Sequence, residues 1–179
     1  MTSSTSLETG AKRRPSSRRE TVILFVVAGQ MFAIAADSVQ EIRSTDSLSG
    51  AANEMEQAVV PKVRHTIERN RRTYFVVNAG AHFNLPATRP ALVLILRELR
   101  VAVLVDRIER MAEIPAVYAL PQAFSGPERR WYRGLAFVDD LVIPVIQPAG
   151  FLTLEEFQKL DRMENAAAAE RQEQEAAQA

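Results

Sequence analysis

The chain has 179 residues, 47% of them hydrophobic, and no cysteine, a composition that indicates a folded domain and excludes wholesale disorder, disulfides and thiolate metal sites. The formal net charge is zero, but residues 1–20 carry five basic and two acidic side chains, whereas residues 153–179 carry three basic and seven acidic ones. A nearly neutral body with oppositely charged ends is not the pattern of a dedicated nucleic-acid-binding protein, which concentrates basic charge on one face.

The first predicted elements are two strands joined by a tight turn. Residues 22–27 and 32–36 are apolar runs of strand length, and residues 28–30 between them contain a glycine that tolerates the positive φ of a short hairpin loop. The segment that follows, residues 39–43, is predicted to be a short amphipathic helical turn, because its valine and its isoleucine are three positions apart and would share one face.

The middle of the chain combines polar loops with further strands. Residues 44–55 are small and polar, which predicts a loop. Residues 56–72 give no clear pattern but contain Arg64, Arg69, Arg71 and Arg72. Apolar runs then predict strands at residues 74–78, 91–96 and 101–105, and a strand or a helical turn at residues 108–114.

The last predicted elements are a second hairpin and a helix. Residues 131–138 and 141–146 are strands joined at Asp139-Asp140, residues that suit a tight turn. Thr153 can cap a helix with glutamates in its first turn, and the final fifteen residues, rich in Ala, Glu and Gln, are expected to fray. The chain is therefore divided into a disordered basic tail (1–20), a folded domain (21–152) and a C-terminal helix with its tail (153–179).

A shift of 69 positions superposes two parts of the chain. It places residues 32–39 on residues 101–108, and residues 23–27 on residues 92–96. Each part is a strand, a turn and a second strand, followed by an aspartate and, two residues after the aspartate, an apolar residue. A repeat of this length favours two similar halves packed together. Short strands joined by turns are typical of small barrels, which hide their sheet edges by closure.

Four segments in this order resemble the CheW-like domain family over roughly residues 21–163. They are the opening hairpin with a V-x-E-I-R-like ending at residues 39–43, the V-x-x-V-D-like strand end at Asp106, the segment around Gly134 with the final hairpin, and the strand-to-helix junction at residues 151–156. The family also carries a G-x-x-N-x-R-G-like segment before its third strand. Here the corresponding residues 65–72 contain no glycine, and Asn70 or Arg71 stands where the arginine would fall.

The resemblance implies a mainly β fold of two small five-stranded β-barrels packed together, followed by a C-terminal helix. It also implies a non-enzymatic adaptor of chemotaxis signal transduction. Such an adaptor couples the cytoplasmic tip of a methyl-accepting chemoreceptor to the regulatory domain of a CheA-type histidine kinase. Because residues 65–72 lack the glycines of the family's segment, the chain can also be a divergent member of the family that binds the kinase alone.

The residues expected to bind a partner lie in two segments. They are Val39, Glu41, Ile42 and Arg43 in the first segment, and Arg69, Asn70 and Arg71 in the second. The alternative from another class is a small-barrel nucleic-acid-binding protein that uses residues 64–72 and the basic N-terminal tail, although no stacking aromatic side chains are interleaved with these arginines.

The sequence contains no motif of catalysis, cofactor binding or metal binding. His65 and His82 have no acid or cysteine at ligand spacing, no phosphate-binding glycine loop occurs, and Asp139 and Asp140 suit a turn better than acid–base chemistry. No apolar run reaches the length of a membrane span, and the N-terminus has no hydrophobic signal core. We expect no cofactor, no metal and no small-molecule substrate, and a cytoplasmic protein without direct membrane insertion.

Overall fold

The structure is a computed structural model that describes residues 19–48, 52–55 and 58–178, so the predicted basic tail lies, up to residue 18, outside the described residues. The strands of the described part are β1 (Glu20–Val27), β2 (Gln30–Ala35), β3 (Val39–Ser44), β4 (Ala52–Glu54), β5 (Val63–Arg69), β6 (Arg72–Asn78), β7 (Leu92–Leu96), β8 (Val101–Val105), β9 (Arg107–Ile114), β10 (Tyr132–Val138) and β11 (Leu141–Ile146). Its α-helices are α1 (Ala79–His82) and α2 (Leu154–Gln178). Neither of these helices combines the length and the apolar character that crossing a membrane requires.

The strands form two curled sheets. One sheet has five strands in the order β10-β11-β2-β1-β9, and the other has six in the order β3-β7-β8-β6-β5-β4. All five strands of the first sheet contribute side chains to one buried cluster, which shows that this sheet wraps around its own core. A second cluster, with Ile67, Tyr74 and Ile95, fills the curl of the other sheet. The largest cluster contains residues of both sheets and of α2, and it joins the two halves.

The predicted mainly β fold with a C-terminal helix is confirmed. The prediction of two closed five-stranded barrels needs correction in two respects. No ladder of backbone hydrogen bonds closes either sheet within the described residues, and the second sheet has a sixth strand, the three-residue β4. A single bridge between Tyr118 and Leu135 connects the chain beyond β9 to the edge strand β10.

The two sheets share one topology, which explains the repeat in the sequence. The hairpin β1–β2 lies inside the first sheet and β7–β8 inside the second. The strand that follows each hairpin crosses to the other sheet, so that β3 pairs with β7 and β9 pairs with β1. In the same way, β11 is parallel to β2 and β6 is parallel to β8. Asp37 and Asp106, the aspartates of the repeat, stand at the two crossovers.

The two crossovers are held by different donors. At the second crossover, the Asp106 carboxylate accepts hydrogen bonds from the Ala28 amide (2.7 Å) and from the Thr88 hydroxyl (2.6 Å). At the first, the donor is Arg97, whose Nε donates to the Asp37 backbone carbonyl at 2.8 Å. The Asp37 carboxylate is therefore not used to hold its own crossover, and the residue is exposed.

Helix α2 begins with the cap that the sequence predicts. The Thr153 hydroxyl accepts a hydrogen bond from the Glu156 amide (3.1 Å), and the Glu156 carboxylate accepts one from the Thr153 amide (2.8 Å), which is a capping box. Leu160 is fully buried, and Arg100 Nη1 lies 2.5 Å from Asp161 Oδ1. These contacts fix the first two turns on the second sheet, and the helix continues to Gln178 through the tract that was expected to fray.

Three hairpins turn on two residues that both have positive φ. The pairs are Ala28-Gly29 (49° and 80°), Asn70-Arg71 (49° and 61°) and Asp139-Asp140 (47° and 63°). Two positive values are typical of the type I′ turn, whose twist matches that of the paired strands. Glycine, asparagine and aspartate tolerate this region, whereas other side chains enter it at a cost of about 1–2 kcal/mol.

Arg71→Gly is expected to stabilise the fold by about 1 kcal/mol, because glycine adopts this backbone conformation without steric strain. The measurement is the free energy of unfolding in urea at fixed pH. Arg71→Ala is the control, since it removes the same charge but keeps the Cβ. An equal gain in the alanine variant would assign the effect to charge and contradict the backbone explanation.

Candidate partner-binding site

The segment predicted as a helical turn is a strand. Val39–Ser44 forms β3, which pairs with β7 at the edge of the six-stranded sheet. A shift in register after Val39 places Val39 and Ile42 opposite two residues of β7 that belong to the same buried cluster. The two side chains therefore share one side, as predicted, but through a β-bulge rather than through a helix. Val39 is buried, whereas Ile42 is 41% exposed.

Glu41 lies at the centre of an ion-pair cluster. Its carboxylate binds the Arg69 guanidinium, and Arg43 Nε lies 3.4 Å from its other oxygen. The side chains of Glu41 and Arg69 are both less than one-third exposed. β3 and β5 are four strand steps apart, roughly 19 Å on a flat sheet at the usual spacing. Their contact therefore depends on the curl of the sheet, and Glu41 links strands as well as being a candidate contact residue.

The second predicted segment lies next to this cluster, at the tip of the β5–β6 hairpin. Asn70 and Arg71 form the turn and are exposed, and Arg69 ends β5. Arg64 lies near the start of β5, roughly 17 Å from Arg69 at the usual rise of a strand. Arg64 therefore lies apart from Arg69, Arg71 and Arg72, which are together at the hairpin tip, and a basic patch of all four arginines does not form.

A groove lies between the two halves beside the first crossover, and we call it the inter-sheet groove. It has a volume of about 570 Å³, an apolar lining of Leu99, Pro148 and Ala149 over the buried Leu96, and a charged lining of Asp37, Arg97, Glu98 and Arg133. Both cations are engaged. Arg97 donates to the first crossover, and Arg133 binds both carboxylate oxygens of Glu20, which raises the pKa of Arg133.

An apolar surface on the β10–β11 hairpin was not predicted. It consists of Tyr118, Phe137 and Val142, each at least half exposed, and we call it the hairpin patch. Leu141 is also exposed, but it stands opposite the buried Val138, on the other face of the hairpin. Phe137 lies opposite Val142, and its ring packs edge to face on that of Tyr118, with 5.3 Å between centroids. Clustered apolar exposure of this kind is typical of a docking surface. In the sequence β11 is a continuous apolar run, a pattern that does not show which face of a strand is covered.

Gly134 lets the chain approach closely beside the hairpin patch. Tyr118 and Leu135 exchange two backbone hydrogen bonds, of 2.8 and 2.9 Å. A Cβ on Gly134 would overlap the Tyr118 carbonyl oxygen and would lie 2.6 Å from Val117 Cγ1. The glycine is therefore required by the bridge that positions Tyr118.

His82 is a buried core residue. It is 4% exposed and lies among the rings of Phe83, Trp131 and Phe151. Lys62 Nζ lies 3.4 Å from its Nδ1 and 2.9 Å from Glu156 Oε2. Burial, and to a lesser extent the charge of Lys62, lowers the pKa of His82 to about 3, so the ring is neutral at pH 7. In the described part of the chain, no three His, Asp or Glu side chains gather as a metal site would require.

Comparison with known proteins gives one family and one fold. A family model described as "CheW-like domain" matches residues 21–156. The fold is similar to that in the crystal structure of the scaffolding protein TtCheW from Thermoanaerobacter tengcongensis, with a TM-score of 0.64, 14% sequence identity, and coverage of 76% of this chain and 95% of that one. At this identity the similarity concerns the fold alone. No curated protein matches the chain.

Proposed function

Because the chain belongs to the CheW-like domain family, we propose that it is a non-catalytic adaptor of chemotaxis signalling. In this role it couples the helical tip of a methyl-accepting chemoreceptor to the regulatory domain of a CheA-type histidine kinase. The observation that carries the proposal is the presence of two separate candidate docking surfaces, the inter-sheet groove and the hairpin patch. An adaptor needs two such surfaces because it must hold both partners at once.

The inter-sheet groove suits an amphipathic helix. Its apolar lining can receive the apolar stripe of the helix, and its charged rim can meet polar side chains on either side of that stripe. Ser38, which lines the groove, directly precedes Val39, the first residue of β3. A helix in the groove would therefore lie against the start of the strand that contains Glu41, Ile42 and Arg43.

The hairpin patch suits a second β domain, such as the kinase regulatory domain. The outer edge of β10 is bridged at Leu135 by the Tyr118 backbone, so a partner would pack on the exposed face of the β10–β11 hairpin rather than extend the sheet. The patch is rimmed by the Arg110–Asp139 ion pair, which gives the polar border typical of an interface core. The tip formed by Arg69, Asn70 and Arg71 is a further candidate contact, through its exposed turn residues.

Phe137→Asp is expected to weaken binding of the cognate kinase regulatory domain at least about tenfold, because a charge at the centre of an apolar interface must be desolvated without a partner. The measurement is calorimetric titration of the full chain. The matched control is Leu154→Asp, which changes an isolated apolar side chain on α2 that is 74% exposed. An equal loss of affinity in both variants would reject the hairpin patch as the docking surface.

The same titration with a receptor-tip fragment tests coupling itself. Binding of both partners supports the adaptor, and binding of neither contradicts it. Binding of the kinase domain alone would favour a divergent member, for which the specific reason is Asn70-Arg71 at the place of the family's arginine and glycine. In that case, Asn70→Arg combined with Arg71→Gly should create affinity for the receptor fragment.

A further inference from the structure

The carboxylates of Asp37 and Glu98, in the inter-sheet groove, form no hydrogen bond or ion pair with another described residue, although the charge of Asp37 contributes to the raised pKa of Arg133. The groove is formally neutral, with Asp37 and Glu98 against Arg97 and Arg133. The two arginines, however, are committed to the first crossover and to Glu20. The charge that the groove can offer to a ligand is therefore negative, beside an apolar lining.

The N-terminal segment joins the fold next to this groove. The described chain begins at Arg19, which lines a neighbouring cavity of about 690 Å³ together with Glu20, Thr21 and Asp37. Asp37 also lines the inter-sheet groove, so the two cavities adjoin. Residues 1–18, which precede this point, carry four basic side chains and one acidic one. Arg13 is six residues before Arg19, a distance of at most roughly 20 Å along an extended chain.

We propose that the basic N-terminal segment of this chain, residues 12–18, occupies the inter-sheet groove, with its arginines against Asp37 and Glu98. The charge of the segment is opposite to the charge that the groove offers, and the point of attachment adjoins the groove. A covalent link of this length gives an effective concentration in the millimolar range, so weak contacts suffice to fill the site. The segment then competes with a partner helix for the groove. This competition, unlike the docking, rests on the proposed function.

The docking is tested with one spin label on the full chain. Because the sequence contains no cysteine, Ala11→Cys gives a single attachment site. It lies eight residues before Arg19, roughly 26 Å along an extended chain, and the label broadens the amide NMR signals of residues near it. At about 0.01 M salt, where charges act over about 30 Å, we expect loss of the Asp37, Ser38 and Glu98 signals. At about 1 M salt, where this range is about 3 Å, we expect the signals to return.

Charge variants decide whether the broadening comes from this groove. Asp37→Asn combined with Glu98→Gln is expected to restore the signals at low salt. The matched control is Glu54→Gln combined with Glu170→Gln, which neutralises two acids in a cavity of about 460 Å³ between α2 and the β4–β5 edge, and it should leave the broadening unchanged. The proposal would be overturned if the groove signals of the wild type stayed sharp at low salt, or if the broadening persisted in the groove variant. Broadening at the α2 cavity instead of the groove would also overturn it.

The competition is measured separately, by titration of the receptor-tip fragment. Arg13→Glu, Arg14→Glu and Arg18→Glu together are expected to raise its affinity for the full chain about fivefold, because the intramolecular competitor is removed. Equal affinity in the variant and the wild type would reject the competition. If the fragment binds neither, the proposed function fails, and the NMR result still decides whether the segment docks.

Discussion

Replacing Gly134 with alanine is expected to lower the free energy of unfolding by about 3 kcal/mol, the upper end of the usual range for overpacking a closed site. The new Cβ would overlap the Tyr118 carbonyl oxygen and press on Val117. That oxygen accepts the Leu135 amide, so it cannot move away without breaking the bridge to β10. The same displacement would separate Tyr118 from Phe137 and disrupt the hairpin patch. Urea unfolding gives the stability change, and titration with the proposed kinase partner tests for a change at the patch.

The matched control for this substitution is Gly126→Ala. There the added Cβ would meet the carboxyl group of Glu128, the end of a flexible side chain that can rotate away. A loss of at most about 1 kcal/mol is expected, which corresponds to the hydrogen bond between the Gly126 amide and Glu128. Equal losses in the two variants would show that the close backbone approach is not what Gly134 provides.

Lowering the pH from 7 to 5 is expected to cost about 2 kcal/mol of stability through His82 alone. Burial and the neighbouring Lys62 lower its pKa to about 3 in the folded chain, whereas the unfolded value is about 6.5. Below pH 6.5 the unfolded state therefore binds a proton that the folded state does not. The contribution is complete above that pH and is lost as the pH falls toward 3, by about 1.4 kcal/mol per pH unit. Urea unfolding at a series of pH values measures the slope.

His82→Gln separates this effect from that of the carboxylates. Glutamine does not titrate and keeps an acceptor for Lys62, so the variant is expected to be less stable at pH 7 but to lose much less between pH 7 and 5. A slope equal to that of the wild type would assign the acid sensitivity to other groups.

Features governed by neighbouring residues could be predicted from the sequence. Apolar runs of strand length located the β1–β2, β7–β8 and β10–β11 hairpins, and Thr153 with its following glutamates located the start of α2. The repeat, read as two similar halves, corresponds to the common topology of the two sheets. These features need only local patterns of polarity and turn chemistry, which the sequence displays directly.

Features that depend on the course of the sheet could not be predicted. The bulge after Val39 gives a strand the three-residue spacing of a helix face, so periodicity alone misassigns β3. The Glu41–Arg69 pair forms only because a sheet of six strands curls. The hairpin patch depends on which face of β10 and β11 is left uncovered, and a run of apolar residues contains no information on that.

The candidate site was accordingly predicted in part. The seven expected residues fall in two segments that the fold brings together around Glu41, with Val39 as the buried exception. They were selected from the family resemblance and, for residues 39–43, from the spacing of Val39 and Ile42, and their role in binding stays a prediction. The inter-sheet groove is built from the first crossover, the turn after β7 and the residues after β11. Segments so far apart in the chain give no common signal in the sequence.

The exchange of strands between the sheets has a consequence for synthesis on the ribosome. β2 pairs with β11, and β1 pairs with β9. The first strands to emerge can therefore complete their backbone pairing only after much later strands have been made. Pairing between such distant segments is slow compared with the closing of a hairpin. The β1–β2 hairpin therefore has both edges unpaired until β9 emerges, and one edge unpaired until β11 emerges. Unpaired strand edges are the groups through which a partly made chain pairs wrongly or aggregates.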